Sequence, residues 1–267
     1  PLRSHAFGEL DFLEGSVPLA GPGMLAPVLP SKIVAIGKNY ADHVAEFDGQ
    51  TPAEPLMFLK PNTAVIGPGG TITLPEQSER VDFEAELAVV IGRLCRNVAP
   101  EDADQVILGY TCANDVTARD LQARDGQWTR AKGFDTFCPL GPWIETDRPL
   151  ADAVVQCSVN GEVRQSAPLS DMITDVGGIV AYVSSVMTLL PGDVILTGTP
   201  AGVGPLLDGD HVKVTIDTTT LALGAVTGRE PADRDVATAA SSALLRMAGA
   251  AIFRVHDVAF NSDAIKV

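Results

Sequence analysis

Apolar residues in this chain come in short blocks cut by Gly, Pro and charged residues, so most of the elements they predict are strands. Residues 32–37 (KIVAIG) read as a short buried strand, and residues 39–46 (NYADHVAE) as a short helix directly after it. Residues 55–65 (PLMFLKPNTAV) form a strand pattern broken at Lys60-Pro61, and the turn at 67–70 leads through another short strand to residues 81–92 (VDFEAELAVVIG). That apolar, β-branched run is the strand around which the rest is arranged. After it, the acidic residues at 100–104 mark a helix start, and residues 106–113 (VILGYTCA) a further strand ending at Asn114-Asp115. Residues 117–122 continue as a helical turn and 128–135 as a polar loop. Asn160-Gly161 signals a hairpin over 154–165, and residues 173–190 an amphipathic helix stopped by Pro191-Gly192. Residues 193–199 (DVILTGT) form a strand that opens into a glycine-bearing loop at 198–204, and 211–216 the last strand the pattern places. Residues 1–30, with five prolines, read as an irregular N-terminal arm.

Polar residues embedded in these blocks carry the candidate chemistry. On a strand, Glu84 and Glu86 project from one face, and Asp82 falls on the same face. Same-face carboxylates repel, and a hard cation with oxygen ligands is one of the few partners that suits two at once. Taken alone, such a pair reads first as a solvated strand edge; the residues that follow reverse that order. His43 and Glu46 are three apart on a helix, where a carboxylate can orient an imidazole, although a solvated pair has the same spacing. Asp115 sits at a strand terminus, where a loop can aim it at a site, or where it can simply cap a helix. Arg119 and Gln122 share a helical face. Lys132, in the polar loop, reads as a salt-bridge partner or a catalyst. The loop at 198–204 lacks both GK[ST] and G-x-G-x-x-G, so it is no nucleotide loop; its backbone and hydroxyl donors suit a carboxylate.

Composition narrows the partners. A formal charge of −15 argues against nucleic acid or an anionic membrane surface, and favours a small partner and a divalent cation. Cys95, Cys112, Cys138 and Cys157 have no metal-type or CxxC spacing, as expected of buried thiols in a reducing compartment. No apolar run reaches the roughly 18–20 residues of a membrane span, and no signal-peptide pattern opens the chain, so a cytoplasmic protein is expected. The chain opens at Pro1 rather than at an initiator methionine, which allows for residues upstream.

Seven strings in order, GKNYADHVAE, FLKPNTAV, VDFEAELAVVIG, NDVTARDLQ, WTRAKGFDTFCPLGPW, VNGEVRQ and LLPGDVILTGTPAGVG, resemble the fumarylacetoacetate hydrolase family across about residues 32–216. The resemblance implies an α+β fold on a rolled, mixed β-sheet, a homodimer, and Mg²⁺ or Mn²⁺ held by Glu84, Glu86 and Asp115, with Asp82 outside the ligand set. It implies a small 2-oxo or 2-hydroxydienoic acid substrate chelated through its carboxylate and keto oxygens, with the cation as electron sink for an enolate. Lys132 would stand near the enolate oxygen, Arg119 and Gln122 would contact substrate, and Thr199 would bind its carboxylate. His43 with Glu46 would activate water, on a segment able to close as a lid. The intact His43/Glu46 pair favours hydrolysis of a C–C bond in an acylpyruvate-like acid. The alternatives are ketonisation, as by the 2-hydroxyhepta-2,4-diene-1,7-dioate isomerases of aromatic catabolism, to whose bacterial members the 126–143 string is most similar, and oxaloacetate-type decarboxylation.

From about residue 218 the expected pattern changes. Residues 223–267 resemble the end of dihydropteroate synthase, with Arg254 and His256 matching anion-binding positions. A (β/α)₈ barrel site needs its other strands, so no pteroate chemistry is expected, and the expected domains are an arm (1–30), a catalytic domain (31–217) and a helix–strand–helix tail (218–267).

Overall fold

The apolar blocks become strands, and the breaks between them decide where each strand can go. The computed structural model describes residues 25–47, 49–146, 152–216 and 219–225, the last of these as a backbone strand. β1 (Ile33–Gly37) leads into α1 (Ala41–Glu46). β2 (Leu56–Lys60) stops at Pro61, which cannot donate to a ladder, and a 3-10 turn at Asn62–Ala64 precedes β3 (Val65–Ile66). β4 (Val81–Phe83) and β5 (Ala85–Ile91) follow, then β6 (Ile107–Asn114), β7 (Thr117–Ala118), α2 (Arg119–Asp125) and α3 (Thr129–Lys132). β8 (Cys138–Glu145) precedes the hairpin of β9 (Val154–Val159) and β10 (Glu162–Pro168). Asn160 and Gly161 turn that hairpin with φ of 52° and 84°, as a two-residue turn matched to strand twist requires. α4 (Val176–Val186), β11 (Val194–Leu196), β12 (Gly204–Pro205), β13 (His211–Ile216) and β14 (Thr219–Ala225) complete the order.

The strands assemble into a seven-stranded sheet, β2-β1-β11-β5-β6-β8-β3, a four-stranded sheet, β10-β9-β13-β14, and a three-stranded sheet, β12-β4-β7. The pairs β1/β11 and β3/β8 are parallel and the others antiparallel, which makes an α+β fold on mixed sheet. β5 is the central strand of the largest sheet, and all seven of its residues are buried. Leu87, Val89, Val90 and Ile91 each contribute about 1.5–3 kcal/mol by leaving water. That apolar shaft anchors the charged end of the strand.

Several expectations change. The run at 81–92 is two strands in two sheets, because the Glu84 N–H donates to Asn114 Oδ1 (2.8 Å) and the Ala85 N–H to Gln165 Oε1 (2.9 Å), which takes both groups out of any ladder. The segment at 128–135 contains α3. The acidic start at 100–104 is a 3-10 turn, Pro100–Gln105, and between Gly70 and Val81 the short strand shrinks to a single bridge residue, Thr73. The helix expected over 173–190 is shorter, because Ile173 N–H and Thr174 N–H are held by Asn39 O and Asn39 Oδ1; α4 starts after them, with Asp175 accepting from Gly178 N–H. Strand pairing also runs past the boundary placed at 217/218, since β14 closes a hairpin on β13. Residues 1–24 of the arm and 226–267 of the tail, with Arg254 and His256, lie outside the described residues.

Candidate metal centre

The register of β5 on β6, with Ala85 opposite Asn114 and Glu86 opposite Ala113, brings the ends of the two strands together. Glu86 is the second residue of β5, Glu84 lies at the junction between the two sheets, and Asp115 is the residue after β6. One carboxylate oxygen from each lies within 4.8 Å of the others, and all three residues are buried. The junction is itself tied to Asp115, whose N–H donates to Glu84 O (2.8 Å).

Cations surround two of the three carboxylates. Lys132 Nζ donates to Glu84 Oε2 (2.7 Å) and Asp115 Oδ2 (2.6 Å), while Arg119 reaches Glu84 Oε1 (2.5 Å) and Asp82 Oδ2 (2.9 Å). Burial pushes Glu84 up, but the charges of Lys132 and Arg119 overcome it and hold the carboxyl well below the usual carboxylate range. Burial disfavours the Lys132 ammonium, and the charges of Asp115 and Glu84 more than compensate, raising it above an ordinary lysine. Glu86 has the opposite fate. It accepts Gly198 N–H (2.6 Å), yet burial, and then the charges of Asp115 and Glu84, push its carboxyl well above the usual range.

A hard divalent cation fits this donor set. The three groups are hard oxygen donors, and the negative charge left unbalanced at Glu86 is what a dication would neutralise. Two buried polar atoms next to the cluster, Asn114 Nδ2 and the Tyr40 hydroxyl, have no protein partner among the described residues. Tyr40 feels the charge of Glu86, and both atoms suit the water that a hydrated ion brings.

The other expected residues form the surroundings. His43 is buried, with Nδ1 3.2 Å from Glu46 Oε2, and its charge contributes to lowering Glu84. Glu46 Oε1 accepts Gly202 N–H (3.2 Å), which ties α1 to the loop at 198–204. Phe47 stands edge-on to His43 and 5.0 Å from the Arg119 guanidinium. Gln122 Oε1 accepts from Arg119 (2.7 Å), so the expected helical face is present. Thr199 spends its hydroxyl on the scaffold, donating to Ala85 O (2.9 Å) and accepting from Gln165 Nε2 (2.7 Å). Asp82 is separate from the cluster, bonded to Arg80 and Arg119. The loop depends on glycine, since Gly198 and Gly202 both have φ of +98° and a Cβ on Gly202 would lie 2.2 Å from Arg164 O.

Residues that sequence patterning missed hold this together. Gln165 bonds Ala85 N–H, Thr199 and Pro200 O, and Asn39 bonds both Thr174 and Thr197. Lys60, which marked only a strand break, is fully buried against Asp115. The signal available for all three was their place inside the strings quoted above; neither periodicity nor charge singled them out. The four cysteines are buried thiols, with Cys138 and Cys157 pushed up to about 12 by burial. Among the described residues no helix is long and apolar enough to cross a membrane.

Known proteins share this arrangement of chain. Protein Rv2993c of Mycobacterium tuberculosis is 58% identical over 219 residues, covering 81% of this chain and 83% of its own. The crystal structure of 2-hydroxyhepta-2,4-diene-1,7-dioate isomerase from Mycobacterium marinum superimposes with a TM-score of 0.79 at 54% identity, covering 86% of this chain and 87% of that one. The mitochondrial oxaloacetate tautomerase Fahd2a of Rattus norvegicus is 42% identical over 213 residues, 75% of this chain and 68% of its own. The model of the fumarylacetoacetate (FAA) hydrolase C-terminal domain matches residues 32–229, through β14 and beyond the point where the resemblance was expected to end. With that match over most of its length, the chain belongs to the fumarylacetoacetate hydrolase family.

Proposed function

We propose that this protein is a divalent-cation-dependent enzyme that interconverts the enol and keto forms of a 2-oxo dicarboxylic acid. The observation that carries the reading is the carboxylate cluster with Lys132 and Arg119 set into it. Mg²⁺ or Mn²⁺ held by Glu84, Glu86 and Asp115 would supply Lewis-acid stabilisation of negative charge on the substrate's 2-oxygen. The chain supplies the rest. Arg119, with Gln122 fixing its guanidinium, offers a planar donor to one substrate carboxylate. Lys132 Nζ holds a proton at the edge of the cluster, next to where charge appears on oxygen. His43, oriented through Nδ1 by Glu46, exchanges a proton with the substrate carbon, and Phe47 packs edge-on against its ring. Thr199, fixed by Gln165, shapes the wall on which a second carboxylate rests. Relatives named as an isomerase and as a tautomerase support a net proton shift as the outcome.

Hydrolysis of a C–C bond in an acylpyruvate is the second reading, supported by the same His43/Glu46 pair acting on water. One experiment separates them. Oxaloacetate enol and acetylpyruvate are each followed with Mg²⁺ or Mn²⁺, by ultraviolet absorbance and by NMR of the products. Loss of enol absorbance without new fragments is the expected result. Release of pyruvate and acetate from acetylpyruvate would install hydrolysis instead, and silence with both substrates and both metals would overturn the enolate reading.

A further inference from the structure

Two lysines are buried at this centre, and they are held differently. Lys60 Nζ donates to Asp115 Oδ1 (2.5 Å), to Val116 O (3.3 Å) and to the backbone O of Lys132. An ammonium has three N–H donors, and these three acceptors use all of them. Lys60 is therefore locked. Lys132 instead points its Nζ at two carboxylates and the face of Phe58, 5.1 Å from the ring centroid, so both of its charged partners are candidate ligands of the cation. Asp115 stands between the two lysines, with Oδ1 given to Lys60 and Oδ2 to Lys132.

We infer that Lys60 is a positioning residue: it reserves Oδ1 of Asp115, so that this carboxylate offers a cation one oxygen, and it holds the backbone from which Lys132 reaches the centre. The inference rests on the metal-dependent reading above. If Asp115 held a cation through Oδ2, the Lys132 ammonium would give up that oxygen while Lys60 kept Oδ1. The Lys132 side chain would then be free to turn while its backbone stayed pinned at the end of α3. An unreserved Oδ1 would let Asp115 take the cation with both oxygens, filling a position needed by substrate. Loss of the Lys60 charge would also deepen the negative potential of the cluster. Both changes tighten cation binding while slowing turnover, whereas a lysine that merely filled space would, when removed, loosen the site and weaken both.

The test uses the full chain with Lys60→Gln, whose neutral amide still serves the two carbonyls, and with Lys60→Met, close in size and without donors, as the second variant. Free Mn²⁺ is measured by electron paramagnetic resonance, and kcat and KM for oxaloacetate enol ketonisation in parallel. The expected result is Mn²⁺ bound about tenfold more tightly with kcat lower by about 10²-fold. Mn²⁺ binding weakened together with kcat, or neither changed, would overturn the inference. The unaltered protein and Glu84→Gln are measured alongside. If the unaltered protein binds no Mn²⁺ the metal reading itself falls; if it binds and Glu84→Gln does not, only the role of Lys60 is at stake.

Discussion

The carboxylate cluster and α1 stand on the same site and are built in opposite ways. The cluster is embedded at the end of a fully buried central strand, each acid tied to a backbone N–H or a buried cation. α1 is a six-residue helix with no side-chain N-cap and with four of its residues exposed; Gly202 N–H, shared between Glu46 Oε1 (3.2 Å) and Oε2 (3.4 Å), ties it to the loop at 198–204. A helix of that length has little stability of its own. The part that would hold a cation is rigid, and the part that would move protons is lightly held, as expected where a segment must admit substrate and then close.

The largest effect expected falls on the rigid half. Glu84→Gln or Asp115→Gln should abolish Mn²⁺ binding and lower turnover by about 10³-fold or more, and a chelator should do the same to the unaltered protein. Activity surviving in either case would mean that the cluster is an ion-pair network and nothing more. On the α1 side, His43→Ala should lower kcat by about 10²-fold or more while leaving Mn²⁺ affinity unchanged. A parallel loss of Mn²⁺ binding would show that the two halves are one unit.

Between the halves lies the loop. Gly202→Ala forces a side chain into a positive-φ backbone against Arg164 O, and should cost about 1–3 kcal/mol, read as a lower melting temperature. The smallest effect has the opposite sign. Glu86 has a folded-state pKa above its ordinary 4.5, so its contribution to stability is complete below about pH 4.5 and is lost as pH rises through the raised value. In chelated protein Glu86→Gln should therefore raise the melting temperature by about 3 °C at pH 8 and leave it unchanged near pH 4. With Mn²⁺ present the gain should vanish, since the cation takes over the neutralisation that the substitution achieves.

Much of this was legible along the chain. The strands at 33–37, 107–114, 154–168 and 211–216 and the turn at Asn160-Gly161 follow from short-range apolar pattern and turn chemistry, which act over a few residues. The grouping of Glu84, Glu86 and Asp115 followed from the resemblance, and the fold brings those three together. Two-residue alternation alone would have added Asp82. It is excluded because the chain changes sheets at Glu84, where Asn114 and Gln165 take the backbone donors from residues 30 and 80 positions away.

What the sequence determined by itself is the set of chemical groups and the local elements that carry them, because propensity, turn geometry and alternation are properties of neighbouring residues. Only the tertiary structure decided which cation answers which carboxylate. Lys60 and Lys132 are alike in sequence terms, one at a strand break and one in a polar segment. The packing of β2 against α3 and the end of β6 places one against Asp115 Oδ1 with all its donors spent, and aims the other into the cluster. Electrostatic energy in a buried site depends on distance and solvent exclusion, and neither exists until the chain has folded.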